Sequence, residues 1–366
     1  MHAVILAGGA GTRLRPLTYA RRKELVPLLD RPLLEYRFIN LRDHGVIDIV
    51  LACSQGAHEI EAHFGDGASL GVNLRYSYED RPLGSGRAVK EAARAAGASG
   101  TLVVCNGDIL TNVELTGMIE RHRATGATLS ISLSPVDDPW HFGVVEVDDQ
   151  LGISRFIEKP AEGEEPSNLI NAGTWLWEPE VLDRIPDDDS AIRDGFSERV
   201  LFPGIIGDGL HVQGFLEDLW VDVGAPDRYM RATALLLERT AAQLGASVIV
   251  LEGASIAEDA DVSGLVYVGR GARIESGARV VGPSVLGHGA VVAPRATVEG
   301  SVLWEESSVG EAAVVVDSIV GAGVEIGANA RVEGAILADG AKIAANHLLP
   351  PGEHVMPGKV VGPDVP

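Results

Sequence analysis

The sequence predicts an open α/β sheet domain followed by a parallel β-helix, and three observations carry that expectation. Up to about residue 235, short apolar runs alternate with stretches of helical periodicity. Beyond about residue 246, a branched aliphatic residue recurs every six positions with Gly and Ala between. Of the 44 glycines, 19 fall within residues 245–366, at short regular intervals.

The elements follow in order. Ala3 to Leu6, Ile47 to Ala52, Thr101 to Cys105 and Thr128 to Leu133 read as central strands, being short and apolar throughout. Leu33 to His44, Ala88 to Ala96 and Leu115 to Thr125 carry helical spacing between them. A helix from about Asp227 to Leu244 ends the first domain, giving expected domains of 1–240 and 246–366. The hexads then run Ile256 to Val262, Val268 to Ile274 to Val280, Val285 to Val291, Val292 to Val298, Val320 to Ile326 to Val332, and Leu337 to Ile343. Three hexads make one triangular turn with the aliphatics stacked inside.

Composition excludes several classes. With 366 residues, 46% of them apolar, the chain buries enough surface for two domains. Its formal charge of -22 repels polyanions, which argues against nucleic acid and anionic membranes as partners. No run reaches the ~18 uncharged apolar residues of a membrane span, and Met1 leads straight into a strand-like segment, so a cytoplasmic location is expected. Cys53 and Cys105 both sit in apolar runs and read as small core residues.

Positive charge is concentrated once, at Arg13, Arg15, Arg21, Arg22 and Lys23, directly after a glycine-rich turn. That turn is neither the dinucleotide fingerprint, since Leu14 stands where a third glycine belongs, nor a Walker A loop, since no Gly-Lys-Ser/Thr follows. It is a loop whose missing side chains let backbone N–H groups approach a base and its phosphates. In an open α/β sheet such a loop and Asn106-Gly107-Asp108 share the ligand-binding edge beyond the strand ends.

The run Gly8-Gly9-x-Gly11-Thr12-Arg13-Leu14-Arg15-Pro16, followed by Lys23, resembles the signature of the sugar-1-phosphate nucleotidyltransferases, the sugar-nucleotide pyrophosphorylases. Pro82-Leu83-Gly84, Asn106-Gly107-Asp108, Phe142-Gly143-Val144, Glu158-Lys159-Pro160, Asn171-Ala172-Gly173, Phe202-Pro203 and Trp220-x-Asp222-x-Gly224 continue the likeness in the family's order. The resemblance implies a Rossmann-like, GT-A-like open mixed sheet, with a left-handed β-helix of hexapeptide repeats as in the longer members. It also implies that Arg13 and Lys23 hold the triphosphate and the departing pyrophosphate, that Lys159 binds the sugar phosphate, and that Asp108 and Asp222 share a Mg²⁺ ion. Hard carboxylate oxygens suit that ion. Leu6, Gly8, Gly9, Gly11, Thr12, Glu79, Gly84 and Ser85 would line the nucleotide, and Gly143, Glu158 and Asn171 the sugar phosphate.

Guanine offers N1–H and NH₂ side by side, a pair that one carboxylate accepts in bidentate fashion, and Glu79 occupies the family's base-recognition loop. GTP is therefore the expected nucleotide, and Ser167 to Gly173 with Glu198 to Pro203 most resembles mannose-1-phosphate guanylyltransferases. Arg22 and Glu24 stand where the family carries prolines, Ser85-Gly86-Arg87 follows Gly84, and Ala225 follows Gly224. These departures keep open another sugar or cyclitol 1-phosphate with GTP or dTTP. A non-catalytic regulatory relative and a hexad-type acyltransferase are the readings from other classes. The coil itself reads as a homo-oligomer interface, since flat coil faces stack well.

Overall fold

The computed structural model describes residues 1–54, 56–192 and 195–362. Contacts group the chain into two compact units, one of residues 1–9 and 33–222, the other of residues 10–32 and 223–366.

The first unit is built on a nine-stranded mixed sheet. Its strand order runs Ile153–Glu158, Gly143–Val147, Leu169–Trp177, Leu102–Asn106, His2–Ala7, Asp48–Cys53, Asn73–Tyr78, with Leu129–Pro135 and Val212–Leu216 branching from Leu169–Trp177. His2–Ala7 pairs in parallel with both Asp48–Cys53 and Leu102–Asn106, so it is an interior strand of the sheet. Ala3, Val4 and Ile5 are accordingly fully buried, which is why this strand is a continuous apolar run without alternation. Val4, Val50 and Val104 pack on Ala88, Val89, Ala92 and Ala93 of the helix Gly84–Ala96, within one apolar cluster. That helix starts four residues before the apolar periodicity does, and it ends on Gly97 at φ 64, the left-handed cap that glycine adopts without a Cβ clash. Trp175 and Trp177 are fully buried against Phe202, as core residues. Cys53 and Cys105 are buried and form no disulfide.

The second unit contains the helix Pro226–Leu244 and three sheets of parallel strands, of seven, seven and five strands among the described residues. This is the β-helix that the hexads predict, of the left-handed type that the resemblance implies. Its interior column runs through Val268, Ile274, Val280, Leu286, Val292 and Val298, then Leu303, Val309 and Val315. Burying each such side chain stabilises the coil by about 1.5–3 kcal/mol.

Two details differ from the expected register. Leu286, not Val285, joins the interior with the expected Val292, and Val291 is half-exposed. In a pleated strand a shift of one residue exchanges inside for outside, and adjacent valines leave the choice to the stacking. The turn also shortens: Val268 lies beside Leu286, 18 residues on, whereas Leu286, Leu303, Val320 and Leu337 stack at steps of 17. One corner therefore loses a residue per turn. No helix among the described residues is long and apolar enough to cross a membrane.

Candidate functional site

In the first unit, the strand His2–Ala7 places Leu6 beside Asn106 and Ala52. The Gly107 N–H donates to the Leu6 carbonyl at 2.9 Å, hooking the turn Asn106-Gly107-Asp108 onto the end of that strand. A Cβ on Gly107 would lie 3.0 Å from the same carbonyl oxygen, so a side chain there would crowd this approach. Asp108 follows, half-buried, and leads into the short strand Ile109–Thr111. That strand pairs antiparallel with Trp220–Asp222, with Asp222 opposite Ile109. Two carboxylate residues 114 positions apart are thus brought to neighbouring places on one ribbon. Among the described residues no group of three or more His, Cys, Asp or Glu could enclose a metal ion. A two-carboxylate ribbon fits a Mg²⁺ ion that keeps water and takes phosphate oxygens, and does not fit a protein cage.

Trp220 ties this ribbon to its surroundings. Its indole N–H donates to the Ala172 carbonyl at 3.0 Å, and its ring meets Phe142 edge-on at 5.1 Å. Gly143 pairs with Glu158 across an antiparallel ladder, where a Cβ on Gly143 would lie 2.8 Å from Glu158 Oε2 and 2.5 Å from Phe156 Cζ. Lys159 has a left-handed backbone, φ 51, with its N–H bonded to the Phe142 carbonyl at 2.9 Å. This geometry presents the side chain outward, 58% exposed, with Nζ 3.9 Å from Glu158 Oε1. Asn171 Oδ1 accepts from the Gly173 N–H at 3.1 Å and from the Trp175 indole N–H at 2.8 Å, which fixes the carboxamide. The strand is irregular between Asn171 and Trp175, and there Gly173, at φ +76, leaves only 2.7 Å between a would-be Cβ and Asn106 Nδ2. The segments around Asn106 and Asn171 therefore meet.

Behind the ribbon lies a buried polar chain that sequence reasoning missed. Arg37 Nη1 donates to Thr174 Oγ1 at 3.0 Å, and the Thr174 N–H donates to Ser132 Oγ at 3.2 Å. Glu217 accepts from the hydroxyls of Ser132 and Thr111, the latter facing Trp220 in the ribbon. Burial pushes the Glu217 carboxyl up to about 7, against the two hydroxyls and the Arg37 charge. No spacing rule marks a lone glutamate in Leu216-Glu217-Asp218.

On the side of Glu79, a cavity of about 400 Å³ is lined by Tyr78, Glu79, Arg81, Leu83 and Arg87 among others. Glu79 Oε2 accepts from the Leu83 N–H at 3.1 Å, and burial raises its pKa while that N–H opposes the rise. Gly84 has φ 74, and Ser85 Oγ donates to Glu198 Oε2 at 3.0 Å while accepting from the Ser197 N–H. Arg87 lines the cavity, but its guanidinium is held by Glu91 at 2.7 Å and by the Pro186 carbonyl at 3.0 Å.

The second unit carries Gly11, Thr12, Arg13 and Lys23. Gly11 has φ 60, and a Cβ there would lie 3.2 Å from Lys23 Cβ and from Thr18 Cγ2, so the loop closes tightly on itself. The Thr18 hydroxyl donates to the Gly11 carbonyl at 2.7 Å. Arg13 is exposed on the turn Thr12–Leu14, whereas Lys23 is 5% exposed. Arg22 and Glu24, which flank Lys23, stand 3.8 Å apart as an ion pair.

Comparison with known proteins gives the family. The family model "Nucleotidyl transferase" matches residues 2–239, and "GMPPB C-terminal domain" matches residues 262–365. A mannose-1-phosphate guanylyltransferase of Mycobacterium tuberculosis is 33% identical over 73% of this chain and 75% of its own length. A UTP–glucose-1-phosphate uridylyltransferase of Synechocystis is 34% identical over 86% of each chain. A crystal structure from Bacillus anthracis, of a protein assigned as a glucose-1-phosphate thymidylyltransferase, shares the fold with TM-score 0.57 at 23% identity, over 64% of this chain and 95% of that one. With its mixed sheet, its β-helix and these relatives, the chain belongs to the nucleotidyl transferase family and is a sugar-1-phosphate nucleotidyltransferase.

Proposed function

We propose that this enzyme transfers GMP from GTP to mannose 1-phosphate, giving GDP-mannose and pyrophosphate. The observation that carries the chemistry is the ribbon that sets Asp222 opposite Ile109, next to Asp108. These two carboxylates would hold Mg²⁺, which supplies positive charge to the phosphates when bound. A phosphate oxygen of the sugar phosphate attacks the α-phosphorus in line, and the bond to the leaving pyrophosphate breaks. The protein's task is then to position two anions and offset their charge.

In this reading Arg13 and Lys23 hold the triphosphate and the pyrophosphate, and Leu6, Gly8, Gly9, Gly11, Thr12, Gly84 and Ser85 line the nucleotide. Lys159 takes the sugar phosphate, its left-handed backbone and 58% exposure leaving the ammonium accessible. Glu158 and Asn171 address sugar hydroxyls beside Gly143, and the bonds to Asn171 Oδ1 leave the carboxamide Nδ2 as the donor. Glu79 reads the guanine edge from the cavity wall, oriented by the Leu83 N–H. A cytoplasmic homo-oligomer assembled through the β-helix completes the proposal.

The mannose and guanine assignments draw on the Mycobacterium relative, and Glu79 supports the base. The longer match to the Synechocystis uridylyltransferase favours UTP and glucose 1-phosphate as the second reading. Pyrophosphate release with Mg²⁺, measured for GTP, UTP, dTTP, ATP and CTP against mannose, glucose and cyclitol 1-phosphates, separates them. Selective release with GTP and mannose 1-phosphate is the expected result. Selective release with UTP and glucose 1-phosphate overturns it.

A further inference from the structure

Of the five cations around the signature loop, Arg21 pairs with carboxylates of the β-helix. Its guanidinium pairs with Glu305 and lies 3.4 Å from Asp339, both on the β-helix within the same compact unit. The same guanidinium sits over the Trp304 ring, with Cζ 5.1 Å from the centroid. These coil residues form a built seat. Two residues beyond the stacked Leu303, Val320 and Leu337, successive turns carry Glu305, Ala322 and Asp339, so the small Ala322 leaves room for one guanidinium between two carboxylates. The Ala322 N–H also donates to Asp339 Oδ1 at 3.0 Å, holding that carboxylate in place.

Trp304 is exceptional in its own column, where Gly287, Gly321 and Ala338 occupy the equivalent places on neighbouring turns. A tryptophan on a coil corner would face solvent, yet this one is 1% exposed. Its indole N–H donates to the Tyr229 hydroxyl at 2.8 Å, and that hydroxyl donates to the Pro27 carbonyl at 2.8 Å. The loop is thus gripped two residues before Lys23, at Arg21, and four residues after it, at Pro27.

We propose that the β-helix braces the nucleotide loop, with Trp304, Glu305 and Asp339 acting as positioning residues for Lys23 and Arg13 through Arg21 and Pro27. This rests on the reading that the loop takes the triphosphate. The brace gives the coil a part in catalysis besides assembly. Displacing a binding group by about 1 Å from a remote site can cost on the order of 100-fold in rate, so loosening the seat is felt at the nucleotide.

The test is the double variant Glu305→Gln/Asp339→Asn, which keeps the shape of the seat and removes its charge. Its control is Glu325→Gln, which breaks the exposed pair with Lys342 elsewhere on the coil. The expected result is an NTP KM raised by on the order of 10-fold, with the sugar-phosphate KM and the melting temperature unchanged. Amide hydrogen exchange should rise over residues 16–28 only. Arg21→Ala should reproduce the effect, and combining it with the double variant should add nothing further, because both remove one interaction. Arg21→Lys should recover part of the loss. An unchanged NTP KM in the double variant overturns the proposal, as does an equal effect from Glu325→Gln. If the wild type releases no pyrophosphate with any pair, the proposed function fails instead. Equilibrium binding of GTP then decides the brace: weaker binding in the double variant keeps it, and equal binding ends it.

Discussion

Replacing Glu217 with Gln isolates a titration that the fold creates. Glu217 is 6% exposed and accepts from the Thr111 and Ser132 hydroxyls, but burial outweighs these donors and raises its carboxyl from 4.5 to about 7. Between those two pH values the folded protein binds a proton that the unfolded chain has released. Stability from this group is therefore complete below about pH 4.5 and is lost as pH rises through about 7. At about 1.4 kcal/mol per pH unit, the span amounts to about 3 kcal/mol. Glutamine keeps an acceptor oxygen for Thr111 and does not titrate. The Glu217→Gln variant should thus gain about 3 kcal/mol on the parent between pH 4.5 and pH 8, or roughly 6–12 °C in Tm for a domain of this size. Urea unfolding followed by tryptophan fluorescence, at half-unit pH steps, measures the difference, in which the other carboxylates cancel. Parallel pH profiles for the two proteins would refute the argument that burial holds this carboxyl protonated.

Three further outcomes test the site itself. Asp108→Asn and Asp222→Asn should each lower Mg²⁺-dependent pyrophosphate release by on the order of 100-fold or more while Tm is kept, and full activity in both removes the metal assignment. Gly173→Ala should destabilise the protein by about 2–4 kcal/mol in urea unfolding, because φ is +76 and the new methyl meets Ile109 Cδ1 at 2.6 Å and Asn106 Nδ2 at 2.7 Å. A loss below about 0.5 kcal/mol would mean that the two segments separate freely. Glu79→Gln should move the kcat/KM ratio of GTP to UTP by at least about 10-fold toward UTP, since an amide no longer accepts two donors, and a constant ratio takes base reading away from Glu79.

Legibility followed the range of the interaction. The strands around Val4, Val50 and Val104 were readable because burial on both faces of a parallel sheet writes an unbroken apolar run. The Gly107 turn was readable as a motif, and its reason appeared only when the Leu6 carbonyl was seen 3.0 Å from the missing Cβ. Glu217 was invisible, because a single glutamate carries no period and its burial depends on Thr111 and Ser132, both distant in the chain.

By itself the sequence determined the α/β alternation, the β-helix with its six-residue period, and the family. Each of these is written in local spacing, where one turn or one strand repeats its own geometry. Tertiary structure alone decided the one-residue register at Leu286, the shortening of the coil turn to 17 residues, and the setting of Asp222 opposite Ile109. It also decided that Arg21, indistinguishable in sequence from its cationic neighbours, is held by Glu305 and Asp339. Those partners lie 284 and 318 residues away, and a pairing at that range is chosen by how the coil stacks, which no local pattern encodes.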